Sequence, residues 1–119
     1  MLGEKISKHN TSVYLINTGW SGGPYGVGKR IKIEYSRAMV TAAINGSLDI
    51  VKFSHNDLFN LDVPTECPGV PSEVLEPRNT WVDKDAYDLS AKKLAQMFVD
   101  NFKKFKDASE EISLAGPKL

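Results

Sequence analysis

The sequence predicts a small α+β domain (mixed α/β), in which a small mixed sheet packs against two main helices. Two observations predict this class. Short apolar runs that alternate or stop at glycine occupy the N-terminal half, and a long stretch of helical periodicity lies near the C-terminus. The length of 119 residues suits a single domain with a modest core.

One short helix, two strands and a loop are expected in the first part of the chain. Apolar residues at helical spacing predict a helix that stops at Asn10. The apolar run at residues 13–16 is typical of a buried strand. The alternation from Arg30 to Tyr35 is typical of a half-exposed strand. Between the two strands, the glycine-rich stretch of residues 17–30 must form a loop.

The first main helix is predicted over Ser36–Ile44. Ser36 is a candidate N-cap, and Asn45 with Gly46 supplies a left-handed stop. The residues that follow, 49–55, have the composition of another short strand.

The second main helix is predicted from about Asp85 to Phe105. Before it, four prolines between residues 64 and 77 exclude regular structure except for one helical turn at Ser72–Leu75. The helix itself should bury a stripe of apolar side chains against the core and leave its lysines in water. The stripe consists of Tyr87, Ala91, Leu94, Phe98, Phe102 and Phe105.

Charge and cysteine content exclude several classes of protein. Fifteen basic residues balance fifteen acidic ones, so no bulk attraction to nucleic acid or to an anionic membrane is expected. No apolar run approaches the length of a membrane span, and no signal peptide is recognisable. The lone cysteine, Cys67, fits a reducing compartment, which makes the cytoplasm the default location.

The glycine-rich loop partly matches a P-loop. Residues 23–29 have the spacing Gly-x-x-x-x-Gly-Lys. However, Arg30 follows where a P-loop has Ser or Thr, and the next residues alternate like a strand instead of opening a helix. Two interpretations of the glycines remain: a tight structural loop, or the edge of a nucleotide site. In the second, Arg30 offers a planar cation and Ser36 a hydroxyl.

No catalytic or metal-binding constellation is recognisable elsewhere. His9 and His55 are far apart, and neither has a Cys or His neighbour at metal-ligand spacing. Cys67 has no basic neighbour in sequence that would lower its pKa and make it a nucleophile.

Four blocks of the sequence resemble ATP-dependent phosphoenolpyruvate carboxykinase, in the C-terminal segment of its nucleotide-binding domain. The blocks follow one another in family order and cover nearly the whole chain. They are YLINTGWSGGPYGVGKRIKIEYSRAMVTAAINGSL, VPTECPGVPSEVLEPRNTW, AKKLAQMFVDNFKKF and AGPKL. The resemblance implies that residues 1–119 form a single partial domain, part of the larger carboxykinase mononucleotide-binding domain.

The resemblance also implies a function and a site. Family members are lyases of gluconeogenesis that decarboxylate oxaloacetate with ATP to give phosphoenolpyruvate, carbon dioxide and ADP. They work in the cytoplasm with Mg²⁺ and Mn²⁺. The positions that match Arg30, Ile31 and Ser36 touch the nucleotide near its adenine and ribose, and Gly28 and Lys29 shape the loop beside it.

One departure from the family concerns length. The family enzyme is several times longer, and its P-loop and metal ligands lie upstream of the matching segment. We therefore expect a fragment that is inactive alone and competent only with the missing N-terminal part, and that self-associates through an exposed apolar face. An alternative is a stand-alone remnant that acts as a non-catalytic nucleotide-sensing or interaction module.

Overall fold

Six α-helices, a 3₁₀ turn and two small antiparallel hairpins make up the part of the chain that the structure describes. The computed structural model describes residues 2–119, and the mixture of elements confirms the α+β class. In chain order the elements are α1 (Leu2–His9), β1 (Trp20–Ser21), β2 (Lys29–Arg30), α2 (Ile33–Ile44), a 3₁₀ turn (Ser47–Asp49), β3 (Phe53–Asn56), β4 (Leu61–Pro64), α3 (Ser72–Leu75), α4 (Pro77–Thr80), α5 (Lys84–Phe102) and α6 (Glu110–Leu114).

The strands form two separate hairpins instead of one sheet. In the first, Trp20 pairs with Arg30 and Ser21 pairs with Lys29. In the second, β3 pairs with β4 from Phe53 opposite Pro64 to Asn56 opposite Leu61. The strand predicted at residues 49–55 begins later than expected, because β3 starts at Phe53 and residue 49 belongs to the 3₁₀ turn.

Helix α2 begins earlier than the sequence predicts. It starts at Ile33, so the strand predicted from Arg30 to Tyr35 is wrong beyond Arg30, and Lys32, not Ser36, occupies the N-cap position. The amide of Ser36 already donates to the carbonyl of Lys32 at 3.1 Å, a helical bond. So short an alternation does not distinguish a strand from a first helical turn. The predicted stop is confirmed, since Gly46 has φ +83°.

The strand predicted at residues 13–16 does not form. This segment is irregular, and Leu15 is 85% exposed. A strand needs a neighbouring strand to accept and donate its backbone hydrogen bonds. Among residues 2–119, none pairs with this segment.

The hydrophobic core is small and lies between α2, the 3₁₀ turn and the loop before α3. Its side chains come from segments that are distant in sequence, and partly buried aromatic and aliphatic side chains pack around them. Its buried members are Ala42, Leu48, Cys67 and Val70.

Helix α5 confirms the long C-terminal helix but only half of its predicted contacts. Asp83 caps its first turn by accepting from the amide of Ala86 at 3.0 Å. The helix ends at Phe102, so Phe105 lies beyond it. Within the predicted stripe Ala91 is buried, whereas Leu94, Phe98 and Phe105 are exposed by 45%, 53% and 59%. Lys92 and Lys93 are exposed, as predicted.

The proline-rich segment contains more regular structure than predicted. The single turn at Ser72–Leu75 is confirmed as α3. Helix α4 was not predicted, although it begins with Pro77 at its first turn, a position that proline favours. Strand β4 reaches Pro64 only at its last residue, so proline does not interrupt its ladder. Helix α6 was also missed.

Candidate functional site

The glycine-rich stretch forms a closed hairpin, here called the glycine hairpin (residues 19–31). At its base, the amide of Ile31 donates to the carbonyl of Gly19 at 2.8 Å. At its tip, the amides of Val27 and Gly28 both donate to the carbonyl of Pro24, at 3.0 and 2.9 Å. Two amides of the loop are thus used internally, and they are not available to an anion.

Two glycines of the hairpin are required by close backbone approach. A Cβ atom at Gly28 would collide with the carbonyl oxygen of Gly23 and lie 2.9 Å from that of Ser21. Gly22 has φ +88°, and a Cβ atom there would lie 3.1 Å from the carbonyl oxygen of Thr80. The hairpin therefore needs these glycines for its own structure, whether or not it borders a ligand.

The hairpin differs from a P-loop in the position of its lysine. Lys29 lies in β2 opposite Ser21, and the following helix begins only at Ile33. In a P-loop the lysine opens the helix, so that helix amides and lysine meet the same phosphates. The rejection of a P-loop therefore stands, although a helix does follow after two intervening residues.

Cationic side chains cluster where the hairpin runs into α2. Lys29, Arg30 and Lys32 are exposed, and the ammonium of Lys32 lies 5.5 Å from the ring centre of Tyr35. Among the described residues, neither Lys29 nor Arg30 has an acidic partner within salt-bridge distance. These cations remain free to meet an anionic ligand.

Ile31 connects the hairpin to a large cleft. This cleft has a volume of about 810 Å³ and mostly apolar walls. Ile31 is half-buried in it, together with the glycine hairpin's Gly22 and Gly23, and it directly follows the exposed Arg30. Other walls are formed by Trp20, Met39, Thr80 and Trp81.

The remaining predicted site residues lie outside that cleft. Ser36 is in the first turn of α2 and only 9% exposed. Gly28, Lys29 and Arg30 do not line the cleft either, although they belong to the same hairpin. The structure thus brings Ile31 to the cleft beside Arg30, and the nucleotide contacts of Arg30, Ile31 and Ser36 all stay predictions.

The residues present do not fit a Mg²⁺ or Mn²⁺ site. Within residues 2–119, no three His, Cys, Asp or Glu side chains converge closely enough to hold a metal ion. Cys67 is buried, and burial raises the pKa of its thiol, which keeps it neutral.

Two side-chain pairs could not be read from the sequence. The Nδ1 atom of His55 lies 2.8 Å from Oδ1 of Asp62, across the β3–β4 hairpin. The hydroxyl of Ser21 donates to that of Thr80 at 3.2 Å, over a separation of 59 residues. The first pair sits at facing strand positions, which become visible only once the register is known.

Comparison with known proteins identifies the family. The family model for phosphoenolpyruvate carboxykinase matches residues 1–73. A phosphoenolpyruvate carboxykinase (ATP) from Caldanaerobacter subterraneus is 64% identical over 118 residues, which is 99% of this chain. The chain belongs to the ATP-dependent phosphoenolpyruvate carboxykinase family. Carboxykinases of the same name from Fusobacterium nucleatum and Alkaliphilus oremlandii are 60% and 56% identical, over 99% and 100% of this chain.

The chain spans 23% of the length of these carboxykinase relatives. Two of the blocks that carry the resemblance, residues 14–48 and 63–81, are in contact through Ser21 and Thr80. No helix of residues 2–119 is both long and apolar enough to cross a membrane.

Proposed function

We propose that this chain forms the adenine- and ribose-facing edge of the ATP site of an ATP-dependent phosphoenolpyruvate carboxykinase. The observation that carries the proposal is the position of Ile31. It lines the large cleft at the base of the glycine hairpin, directly after the exposed Arg30, which has no acidic partner among residues 2–119. An apolar wall beside a planar cation suits a purine nucleotide, whose base is flat and whose phosphates are anionic.

Each proposed contact has its own chemistry. The Arg30 guanidinium stacks on the base or binds a phosphate, and Ile31 packs against the base. Ser36 donates or accepts at the ribose from the first turn of α2. That helix has no side-chain cap at Lys32, so its N-terminus is open to an oxygen ligand. Gly28 and Lys29 shape the loop beside these contacts.

The proposal covers only part of a catalytic centre. The whole enzyme would couple decarboxylation of oxaloacetate to phosphoryl transfer from ATP, a lyase reaction of gluconeogenesis in the cytoplasm. Phosphoryl transfer depends on lysine and metal charges that neutralise the phosphates. Mg²⁺ and Mn²⁺ would be held by residues outside this chain, so the chain alone binds ATP without turning it over. Oxaloacetate-dependent ATP consumption by the purified chain would contradict this.

The proposed partner is the remainder of a carboxykinase nucleotide domain, which we place at the N-terminal side of this segment. Exposed apolar side chains support it: Leu15 is 85% exposed, and Phe98, on the long helix α5, is 53% exposed. Without that partner we expect self-association through these surfaces. Light scattering that shows a monomer would contradict this expected self-association.

An NMR titration with Mg²⁺-ATP tests the nucleotide site directly. Amide shifts of the chain should concentrate at residues 30–36. Arg30→Gln should weaken ATP binding by about tenfold, the loss of one charged contact. Arg37→Gln removes the same charge from the exposed surface of α2 and should leave binding nearly unchanged. If Arg30→Gln and Arg37→Gln weaken ATP binding equally, the chain attracts ATP only through its general charge, and Arg30 has no specific contact with it.

A further inference from the structure

A hydroxyl pair joins the glycine hairpin to helix α4. Ser21 Oγ donates to Thr80 Oγ1 at 3.2 Å, and Thr80 Oγ1 donates its own proton to the carbonyl oxygen of Pro77 at 2.6 Å. The Thr80 hydroxyl therefore has one fixed donor direction and presents a lone pair to Ser21. The pair is partly buried, which limits competition from water.

The backbones approach closely at the same place. Gly22 lies against the carbonyl of Thr80 so tightly that a Cβ atom would be 3.1 Å from the carbonyl oxygen. The contact thus combines a side-chain hydrogen bond with a close backbone approach at a glycine of positive φ, where a larger residue would be strained. It orients the β1 strand of the hairpin relative to the end of α4.

Helix α4 is itself held by the long helix α5. Lys84, at the start of α5, donates through Nζ to the carbonyl oxygens of Arg78 and Trp81, at 2.9 and 2.7 Å. The Trp81 ring meets the Tyr87 ring edge to face, with centroids 5.6 Å apart. A short helix of this kind would not be rigid alone, and these contacts give it a fixed position.

We propose that Thr80 is a positioning residue for nucleotide binding, acting through Ser21 on the glycine hairpin. Because Trp20 pairs with Arg30 and Ser21 pairs with Lys29, an orientation imposed on β1 reaches β2, where Arg30 and Ile31 follow. The inference rests on the proposed function, since it assigns Thr80 to the same nucleotide site.

Preorganisation is the physical reason for such a contact. A two-stranded hairpin alone is marginally stable, and this one has only two paired positions in each strand. Fixing it before the ligand arrives lowers the entropic cost of binding. Losing one neutral hydrogen bond of this kind should weaken binding about three- to tenfold.

Two readouts on the 119-residue chain test the inference, with Mg²⁺-ATP as the probe. The first is amide hydrogen exchange at Ile31 without nucleotide, and the second is the dissociation constant for Mg²⁺-ATP. Thr80→Val keeps the shape and removes the hydroxyl, whereas Thr80→Ser keeps the hydroxyl. Thr65→Val is the matched control, because it removes a 2.9 Å hydrogen bond from a threonine hydroxyl to the carbonyl of Lys52, outside the glycine hairpin.

We expect Thr80→Val to speed exchange at Ile31 and weaken ATP binding three- to tenfold, with Thr80→Ser restoring both. Thr65→Val should change neither the exchange at Ile31 nor the affinity for ATP, even if it lowers the urea midpoint as much as Thr80→Val does. Ser21→Ala removes the bond between Ser21 and Thr80 but leaves the bond from Thr80 to the carbonyl of Pro77. It should therefore change exchange at Ile31 in the same direction as Thr80→Val and add little when combined with it.

Unchanged exchange at Ile31 in both Thr80→Val and Ser21→Ala overturns the inference, whatever happens to ATP binding. A wild-type chain that binds no ATP, but whose hairpin loosens in Thr80→Val, overturns the nucleotide assignment and supports Thr80 as the residue that positions the hairpin. The two failures are therefore distinguishable.

Discussion

The guanidinium of Arg78 binds the carboxylate of Asp88 through two parallel hydrogen bonds, Nε to Oδ1 at 2.9 Å and Nη2 to Oδ2 at 3.0 Å. This fork joins α4 to α5, ten residues apart in sequence. The hydrogen bond from Arg78 holds the pKa of Asp88 below its ordinary value of 3.8, and it raises the pKa of Arg78. Of the three ion pairs found among residues 2–119, this one has two hydrogen bonds between the same two side chains.

Replacing Asp88 should remove part of the acid sensitivity of folding. A carboxyl whose pKa is lowered in the folded state stabilises the protein above its unfolded pKa, about 3.8, and this stability is lost as pH falls through the folded value. Asp88→Asn should therefore lower the urea midpoint at pH 7 and reduce its fall between pH 5 and pH 2. Asp107→Asn, in an exposed turn, is the control. An unchanged acid profile in Asp88→Asn would contradict the prediction.

The His55–Asp62 pair should show itself in an NMR titration of the imidazole. The hydrogen bond to Asp62 is the main cause that raises the pKa of His55 above 6.5, and the charge of Asp57 adds to it more weakly. Asp62→Asn should thus lower the pKa of His55 more than Asp57→Asn does. Because the folded pKa is raised, the pair stabilises the fold below pH 6.5 and loses this effect as pH rises through the folded value. Equal shifts in the two variants would show that charge alone matters.

Alanine at Gly28 should destabilise the glycine hairpin. Its Cβ atom would collide with the carbonyl oxygen of Gly23, and the backbone would have to shift. We expect a loss of about 1–3 kcal/mol in the free energy of unfolding, measured by urea denaturation. Gly3→Ala is the control: it lies in α1 with no atom within 4 Å of the added Cβ, and should stabilise slightly. A tolerated Gly28→Ala would mean that the loop has another conformation in solution.

Truncation of Leu48 should reveal how much the small core contributes. Leu48 is 5% exposed and packs beside Ala42, so Leu48→Ala should cost about 2–5 kcal/mol. Ile50 is 88% exposed on the same stretch, and Ile50→Ala should change the free energy of unfolding by less than about 0.5 kcal/mol. Thermal denaturation followed by circular dichroism distinguishes them. If the two variants lost similar free energies of unfolding, Leu48 would not be part of the core.

Features that depend on neighbouring residues could be predicted from the sequence. Helix α5 follows from its periodicity, the end of α2 from Gly46 and the single turn α3 from the gap between prolines. Their hydrogen bonds run to residues three or four positions away, so local composition determines them. The glycine-rich loop was predictable for the same reason, and the four quoted blocks indicated the family.

Tertiary structure decided what depends on distant partners. Residues 13–16 have a strand-like composition but no pairing strand within the described part of the chain, and Ile33 starts a helix where alternation predicted a strand. The apolar stripe of α5 leaves Phe98 exposed because periodicity shows which side chains share a face, not whether another element covers it. The contact of Ser21 with Thr80 spans 59 residues, and only the folded chain brings such positions together.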